Sequence, residues 1–283
     1  MTPGKKFLQA LESEHPLQIA GTVNAYCALL AQQAGFKCLY LSGAGVANAS
    51  LAKADLGLTR LDDVLEDARR ITSACTLPLL VDVDTGFSDE ISLQQMSQKM
   101  IQAGVAAIQI EDQVSAKRCG HRPGKSLVSS EQMQQRIIAA RQDIKGNELL
   151  IMARTDAYSV EGLDAAISRG IDYEACGADL LFIESPTSLQ DYQQFSAAIK
   201  IPILANITEF GLTPLFNIDE LKDAGVSMAL YPLSAFRAMN KAALEVYQTI
   251  KQQGTQSSLL EKMQTRNELY ATLDYLTQEK KQR

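Results

Sequence analysis

The chain has 283 residues, 46% of them hydrophobic and 21% charged, with 33 acidic side chains against 27 lysines and arginines for a net charge of −6. That composition suits a soluble protein with one large core, and a barrel of alternating strands and helices uses about 250 residues as a single domain. The acidic balance is the reverse of a nucleic-acid binder's basic stripe, and no apolar run approaches the roughly 18 residues of a membrane span.

Lys5 and Lys6 have no apolar stretch behind them, so a secretory signal is not expected. The first short apolar strand is predicted near 17–20 and the second near 37–41, the latter followed by Ser42-Gly43-Ala44-Gly45. Leu61, Val64, Leu65, Ala68 and Ile71 then recur at helical spacing. A third strand near 78–82 ends in Asp82 and Asp84, and a fourth near 106–110 runs into Glu111 and Asp112. Strands near 149–153, 179–183, 202–205 and 226–230 lead respectively into Arg154 and Asp156, Glu184, Asn206 and Thr208, and Tyr231 and Ser234. Runs such as Leu77-Pro78-Leu79-Leu80-Val81 suit parallel strands covered on both faces.

Gly35, Gly104, Gly177 and Gly225 each stand between a helix and the next strand, where a left-handed residue closes the helix. Eight strand–helix units without a long linker predict one closed (β/α)₈ barrel of the TIM type over 1–283, with polar strand ends converging on one mouth. After residue 234 the pattern is helical only. The extension from about 234 to 283 is too long for one barrel helix and is expected to pack on a neighbouring subunit.

Asp82 and Asp84, two apart, share a face if they lie in a strand. Like charges side by side call for a cation, and an oxygen-only set favours Mg²⁺ or Mn²⁺ over zinc; a solvated pair of loop aspartates reads equally well. Glu111 and Glu184 could complete such a site. Lys117-Arg118-Cys119-Gly120-His121-Arg122-Pro123-Gly124-Lys125 gathers five basic-type residues and a cysteine in an acidic chain. Such a loop would attract a polyanion and favour the Cys119 thiolate, or else is an exposed basic loop with an incidental cysteine. The other cysteines (27, 38, 75 and 176) make with it an odd number without a CxxC pair, so a reduced, cytoplasmic setting is expected rather than a disulfide or zinc framework. Gly120–Ser126 is one residue short of a phosphate-binding loop, and Gly43–Asn48 lacks the third glycine of a dinucleotide fingerprint.

The Lys117–His121 run, with Asp55-Leu56-Gly57, Ile110-Glu111-Asp112-Gln113, Met152-Ala153-Arg154-Thr155-Asp156-Ala157 and Leu204–Gly211, resembles the lyase branch of the isocitrate lyase and phosphoenolpyruvate mutase superfamily over nearly the whole chain. The resemblance implies cleavage of a small tricarboxylate, 2-methylisocitrate, to pyruvate and succinate, with isocitrate, 2,3-dimethylmalate or oxaloacetate as alternative substrates of sister enzymes. It implies a homotetramer exchanging C-terminal helices, and Mg²⁺ on Asp82 and Asp84 with water-linked help from Glu111. Implied substrate contacts are Ser42, Gly43, Ala44, Asp55, Cys119, Gly120, Arg154, Glu184, Asn206, Ile207, Thr208, Arg237 and Arg266. Cys119 would be the general acid on a mobile lid, Tyr40 a candidate base, and Lys117 and His121 further members of the catalytic loop. Ala44, Ser88 and Ile183-Glu184-Ser185 depart from the family's usual Gly, Gly and Pro-Glu-Ala, which bears on substrate preference.

Overall fold

Short apolar runs without polar alternation fold here into strands buried on both faces. The computed structural model describes the chain from Met1 to Gln282 except Ser88, with Gln282 as backbone alone. It divides into two compact units, Met1–Leu233 and Ser234–Arg283. In the first, β1 (Leu17–Gly21), β2 (Cys38–Leu41), β3 (Leu79–Asp82), β4 (Ala107–Glu111), β5 (Leu150–Thr155), β6 (Leu180–Ile183), β7 (Ile203–Asn206) and β8 (Met228–Tyr231) close into a barrel in sequence order. All neighbours are parallel, and β8 returns to β1 through Leu17↔Met228 and Ile19↔Leu230. The strands expected from the sequence lie within about two residues of these bounds.

Helices α1 (Pro3–Ser13), α2 (Ala25–Gln33), α3 (Gly43–Gly45), α4 (Leu61–Ala74), α5 (Leu93–Gln102), α6 (Ser130–Arg141), α7 (Leu163–Ala175), α8 (Leu189–Ala198) and α9 (Ile218–Asp223) complete this unit. Their starts are written locally: Ser92, Ser129, Ser188 and Asn217 each form a reciprocal capping box with Gln95, Gln132, Asp191 and Glu220. Such a cap is worth about 1 kcal/mol. Their ends follow the glycine rule, with Gly35, Gly104, Gly177 and Gly225 at φ of 95°, 74°, 104° and 78°. Leu61, Val64, Leu65, Ala68 and Ile71 are buried as the spacing required. No helix among the described residues is long and apolar enough to cross a membrane.

Two apolar clusters result from the period of two along each strand. Leu79 and Val81 join the layer between barrel and helices, whereas Leu80 faces the interior with Tyr40, Ala107, Met152, Phe182 and Leu204. Continuing each inward row toward the strand's C-terminal end gives Asp82, Gln109 and Glu111, Arg154, Glu184 and Asn206, so the interior is apolar below and polar at the mouth. At the other end α1, an element the sequence reading did not anticipate, adds Phe7 and Ala10 to the interior cluster. Thr2 caps it, Pro3 opens it, and Gly4 N donates to Glu148 O just ahead of β5.

The second unit consists of α10 (Ser234–Gln253), a 3₁₀ segment at Ser257–Lys262, α11 (Arg266–Thr272) and α12 (Tyr275–Gln282). None of the α10 side chains is buried.

Candidate active site

Asp82 ends β3 with its side chain turned inward, and its two oxygens are held separately. Oδ2 accepts from Gly43 N at 3.1 Å, while Oδ1 accepts from Asp84 N at 3.1 Å and Gln109 Nε2 at 3.0 Å. A Cβ on Gly43 would lie 3.1 Å from Asp84 Oδ1 and 3.2 Å from Asp82 Oδ2, so glycine gives the backbone its close approach to both carboxylates without crowding them. The expectation that Asp82 and Asp84 share a strand face is corrected here. Asp84 lies past β3 with φ at 48°, and the two carboxylates meet through a turn rather than through the pleat.

Lys117 enters this acidic pocket. Its Nζ lies 2.6 Å from both Asp55 Oδ1 and Asp84 Oδ1. Burial opposes its charge, but Asp84, Asp82, Glu111 and Asp55 together hold it well above the ordinary lysine range. Burial pushes the Asp84 carboxyl up to about 6 against the pull of Lys117, with Asp82 adding to the rise. Glu111 is likewise pushed well above the carboxylate range by burial, despite Arg154. The alternative reading of an exposed basic loop therefore holds for only part of it. Lys117 and Lys125 are buried on carboxylates, because a cluster of buried anions is stable only with cations among it, while Arg118 and Arg122 remain exposed.

Oxygen donors at Asp82 and Asp84 suit a divalent cation. Beside them Glu111 Oε1 is buried without a hydrogen-bond partner, which marks it as waiting for a ligand or water. Among the described residues no three His, Cys, Asp or Glu side chains form a ready-made cage. Mg²⁺ needs none, since it keeps several waters and takes one or two carboxylates. The donor set fits that ion.

Arg154, inward on β5 and beside Glu111 in register, is enclosed by carboxylates: Asp156 at 2.9 and 3.2 Å, Glu184 at 3.0 Å and Glu111 at 3.5 Å. Its guanidinium also lies 5.1 Å from the Phe182 ring centre. Burial opposes the charge, but Asp156, Glu184 and Glu111 keep Arg154 protonated. In return, and again against burial, Arg154 and His121 hold Glu184 below the usual carboxylate range.

The Cys119 loop springs from a fixed base. A bridge joins Gln113 and Leu127, and the Gln113 amide accepts from Arg118 N and donates to Arg118 O, both at 3.0 Å. At its tip a Cβ on Gly120 would collide with Arg154 Nη2 and Glu184 Oε2, so this glycine rests directly on the arginine–glutamate pair. Leu212 N donates to His121 Nδ1 at 3.0 Å, which leaves Nε2 to donate to Glu184 Oε1 at 3.1 Å. Asn206 Nδ2 reaches the same Glu184 oxygen at 3.3 Å, and Asn206 Oδ1 is buried without a partner. Cys119 itself is exposed. Ile207 and Thr208 are buried next to Asn206, Ser42 is buried at the start of α3, and Ala44 is half-buried one turn position further on.

Tyr40, expected as a candidate base, donates its hydroxyl to Gln109 Oε1 at 2.9 Å. Burial, with Asp82 nearby, pushes its phenol well above the ordinary range, so it is arranged as a donor. Gln109 thereby links Tyr40 to Asp82. Sequence reasoning passed over Gln109, although it lies two residues before Glu111 on the same inward row. It also passed over the contacts of Ser185, which at φ of 64° turns its Oγ to Gly120 O at 3.3 Å. Arg237 lies on α10 and Arg266 opens α11, both in the second unit, and Ser88 lies outside the described residues.

Comparison with known proteins agrees with this geometry. The phosphoenolpyruvate phosphomutase family model matches residues 7–251. A relative named 2-methylisocitrate lyase from Escherichia coli (strain K12) is 58% identical over 281 residues, covering 99% of this chain and 95% of its own. A solved 2,3-dimethylmalate lyase superposes with a TM-score of 0.89 at 31% identity, over 99% of this chain and 94% of that one. Phosphonopyruvate hydrolase, solved in complex with oxalate and Mg²⁺, gives 0.84 at 25% identity over 99% and 97%. With its barrel, its acidic mouth and its cysteine loop, the chain belongs to the phosphoenolpyruvate phosphomutase family, within the isocitrate lyase superfamily.

Proposed function

We propose that the protein is a carbon–carbon lyase that cleaves 2-methylisocitrate to pyruvate and succinate. The observation that carries this reading is the seating of Gly120, next to Cys119, on the buried Arg154–Glu184 pair at the same mouth as Asp82 and Asp84. The name and 58% identity of the Escherichia coli relative support the same substrate.

Asp82 and Asp84 would hold Mg²⁺ or Mn²⁺, with Glu111 reaching it through water; when bound, the ion supplies Lewis acidity at the oxygens of the pyruvate half. Arg154 suits the pyruvate-half carboxylate, because a guanidinium fork matches two oxygens. Asn206 and Thr208 would grip the succinate half. The C2-hydroxyl proton passes to a base at the barrel mouth, and the C2–C3 bond breaks to leave the pyruvate carbonyl. The bonding electron pair passes to C3 of the succinate half, where the Cys119 thiol delivers a proton. Gly120 and His121 bring that thiol over the substrate and keep water out.

The assay measures the two halves released from each acid at saturating Mg²⁺: pyruvate and succinate from 2-methylisocitrate, glyoxylate and succinate from isocitrate, pyruvate and propionate from 2,3-dimethylmalate, and oxalate and acetate from oxaloacetate. Equal amounts of both products from 2-methylisocitrate are expected. A single methyl group distinguishes that acid from isocitrate, so packing sets the preference, at roughly 10–200-fold in kcat/KM. Equal values, or a preference for isocitrate, overturn the substrate; no cleavage of any of the four overturns the lyase. The likeness to 2,3-dimethylmalate lyase makes that acid the competing substrate.

We further place the protein in the cytoplasm as a homotetramer with exchanged C-terminal helices. Supporting this, all five cysteines are free thiols and α10 exposes Met239, Leu244, Tyr247 and Ile250.

A further inference from the structure

Lys125 has no part in the mechanism above, yet it is buried at the centre of the loop's contacts. Its Nζ lies 2.5 Å from Gly120 O and 2.8 Å from Asp156 Oδ1. Asp156 is fully buried, and the same carboxylate binds Arg154 through Oδ2 to Nε at 2.9 Å and Oδ1 to Nη2 at 3.2 Å. One ammonium thus joins the loop tip to the group that orients the carboxylate-binding arginine. The loop's base is tied independently by Gln113, so loss of Lys125 would free the tip and leave the base in place. Residues 121–125 also border a cavity of about 590 Å³.

We propose that Lys125 is a positioning residue that latches the Cys119 loop against Arg154 through Asp156, coupling closure of the loop to the aim of the arginine. Neither end works alone. When the tip is seated, Gly120 O supplies an acceptor that holds Lys125 on Asp156, and Asp156 fixes the guanidinium fork. When the tip lifts, the ammonium loses one of its two partners and Arg154 loses the contact of Gly120.

The inference rests on the lyase reading. The test compares wild type, Lys125→Met and Lys125→Arg by steady-state kinetics on 2-methylisocitrate and by limited trypsinolysis of the full-length protein. Lys125→Met is expected to lose turnover on the order of 10²-fold, the scale for misplaced reacting groups. Lys125→Arg, which can still bridge a carbonyl and a carboxylate, should recover at least a tenth of wild-type kcat. Cleavage of the Arg118–Cys119 bond should accelerate in Lys125→Met while the other tryptic sites stay protected, which a general loosening of the fold would not produce. Should Lys125→Met fail to fold, Lys125→Gln is read by the same criteria. A kcat within threefold of wild type overturns the latch, as does an arginine variant no better than methionine or cleavage rising at every site together. Failure of the wild type to release pyruvate would sink the lyase reading instead, while the tryptic comparison still tests the latch.

Discussion

At the scale of single residues, the mouth of the barrel stores unlike charges where neither sign is stable alone. Lys117 pairs with Asp55 and Asp84, and Arg154 with Asp156, Glu184 and Glu111, so substrate must displace or share these partners. Asp84→Ala should therefore abolish turnover at ordinary Mg²⁺ concentrations. Chelation by EDTA should do the same to the wild type, with recovery on adding Mg²⁺; full turnover in metal-free buffer would refute the metal requirement. For Cys119→Ser, serine is far the weaker acid, and general acid catalysis contributes about 10²–10⁴-fold. A kcat lowered by that factor, with substrate affinity retained in calorimetry, is expected. Turnover above about a third of wild type would remove Cys119 from the mechanism. Gln109→Leu keeps the volume but cuts Asp82 from Tyr40, and loss of a partner of this kind typically costs 10–100-fold in metal affinity. Titration with Mn²⁺ measures it directly, without turnover.

Elements are set by punctuation at their ends and by burial along their length. A Cβ at Gly35 would meet nothing within 4 Å, yet the residue sits at φ of 95°. Gly35→Ala thus isolates the conformational cost of a left-handed position, about 1–2 kcal/mol, readable as a shift in urea midpoint with unchanged activity. No loss of stability would mean that the helix end relaxes without strain. Closing glycines were legible in the sequence because each signal involves residues next to one another in the chain. So were the strands, because only a sheet covered on both faces tolerates continuous apolar runs. By contrast α1 escaped notice, since its buried residues Phe7 and Ala10 pack on the barrel interior, a partner that exists only after the strands have closed. Asp84 misled for a related reason. Alternation holds inside a strand, and β3 ends two residues earlier.

For the whole molecule, the chain beyond Gly254 carries Leu259, Leu260, Met263, Leu269, Leu273 and Leu276 at helical spacing, together with Arg266. Leu260 and Leu276 are 58% and 64% exposed. A chain ending at Gly254 should lose both turnover and the tetramer proposed above, as the pyruvate assay and sedimentation would show. A fully active tetramer from that truncation would separate the helical unit from assembly and from the site.

Local pattern alone determined the barrel class, the strand positions, the acidic and basic residues of the mouth and the loop that carries Cys119, because periodicity, helix ends and short motifs depend on neighbours in the chain. Only the tertiary structure decided how those groups pair. Lys117 reaches Asp55 and Asp84 from a distant loop, Lys125 joins Gly120 to Asp156, and Gln109 connects Tyr40 to Asp82 across three adjacent strands. A charge in a sequence has no address for its counter-ion. Burial makes an unpaired charge too costly to persist, so the closing of the barrel selects the partners, and it turned an apparently free basic loop into the internal counter-charge of the site.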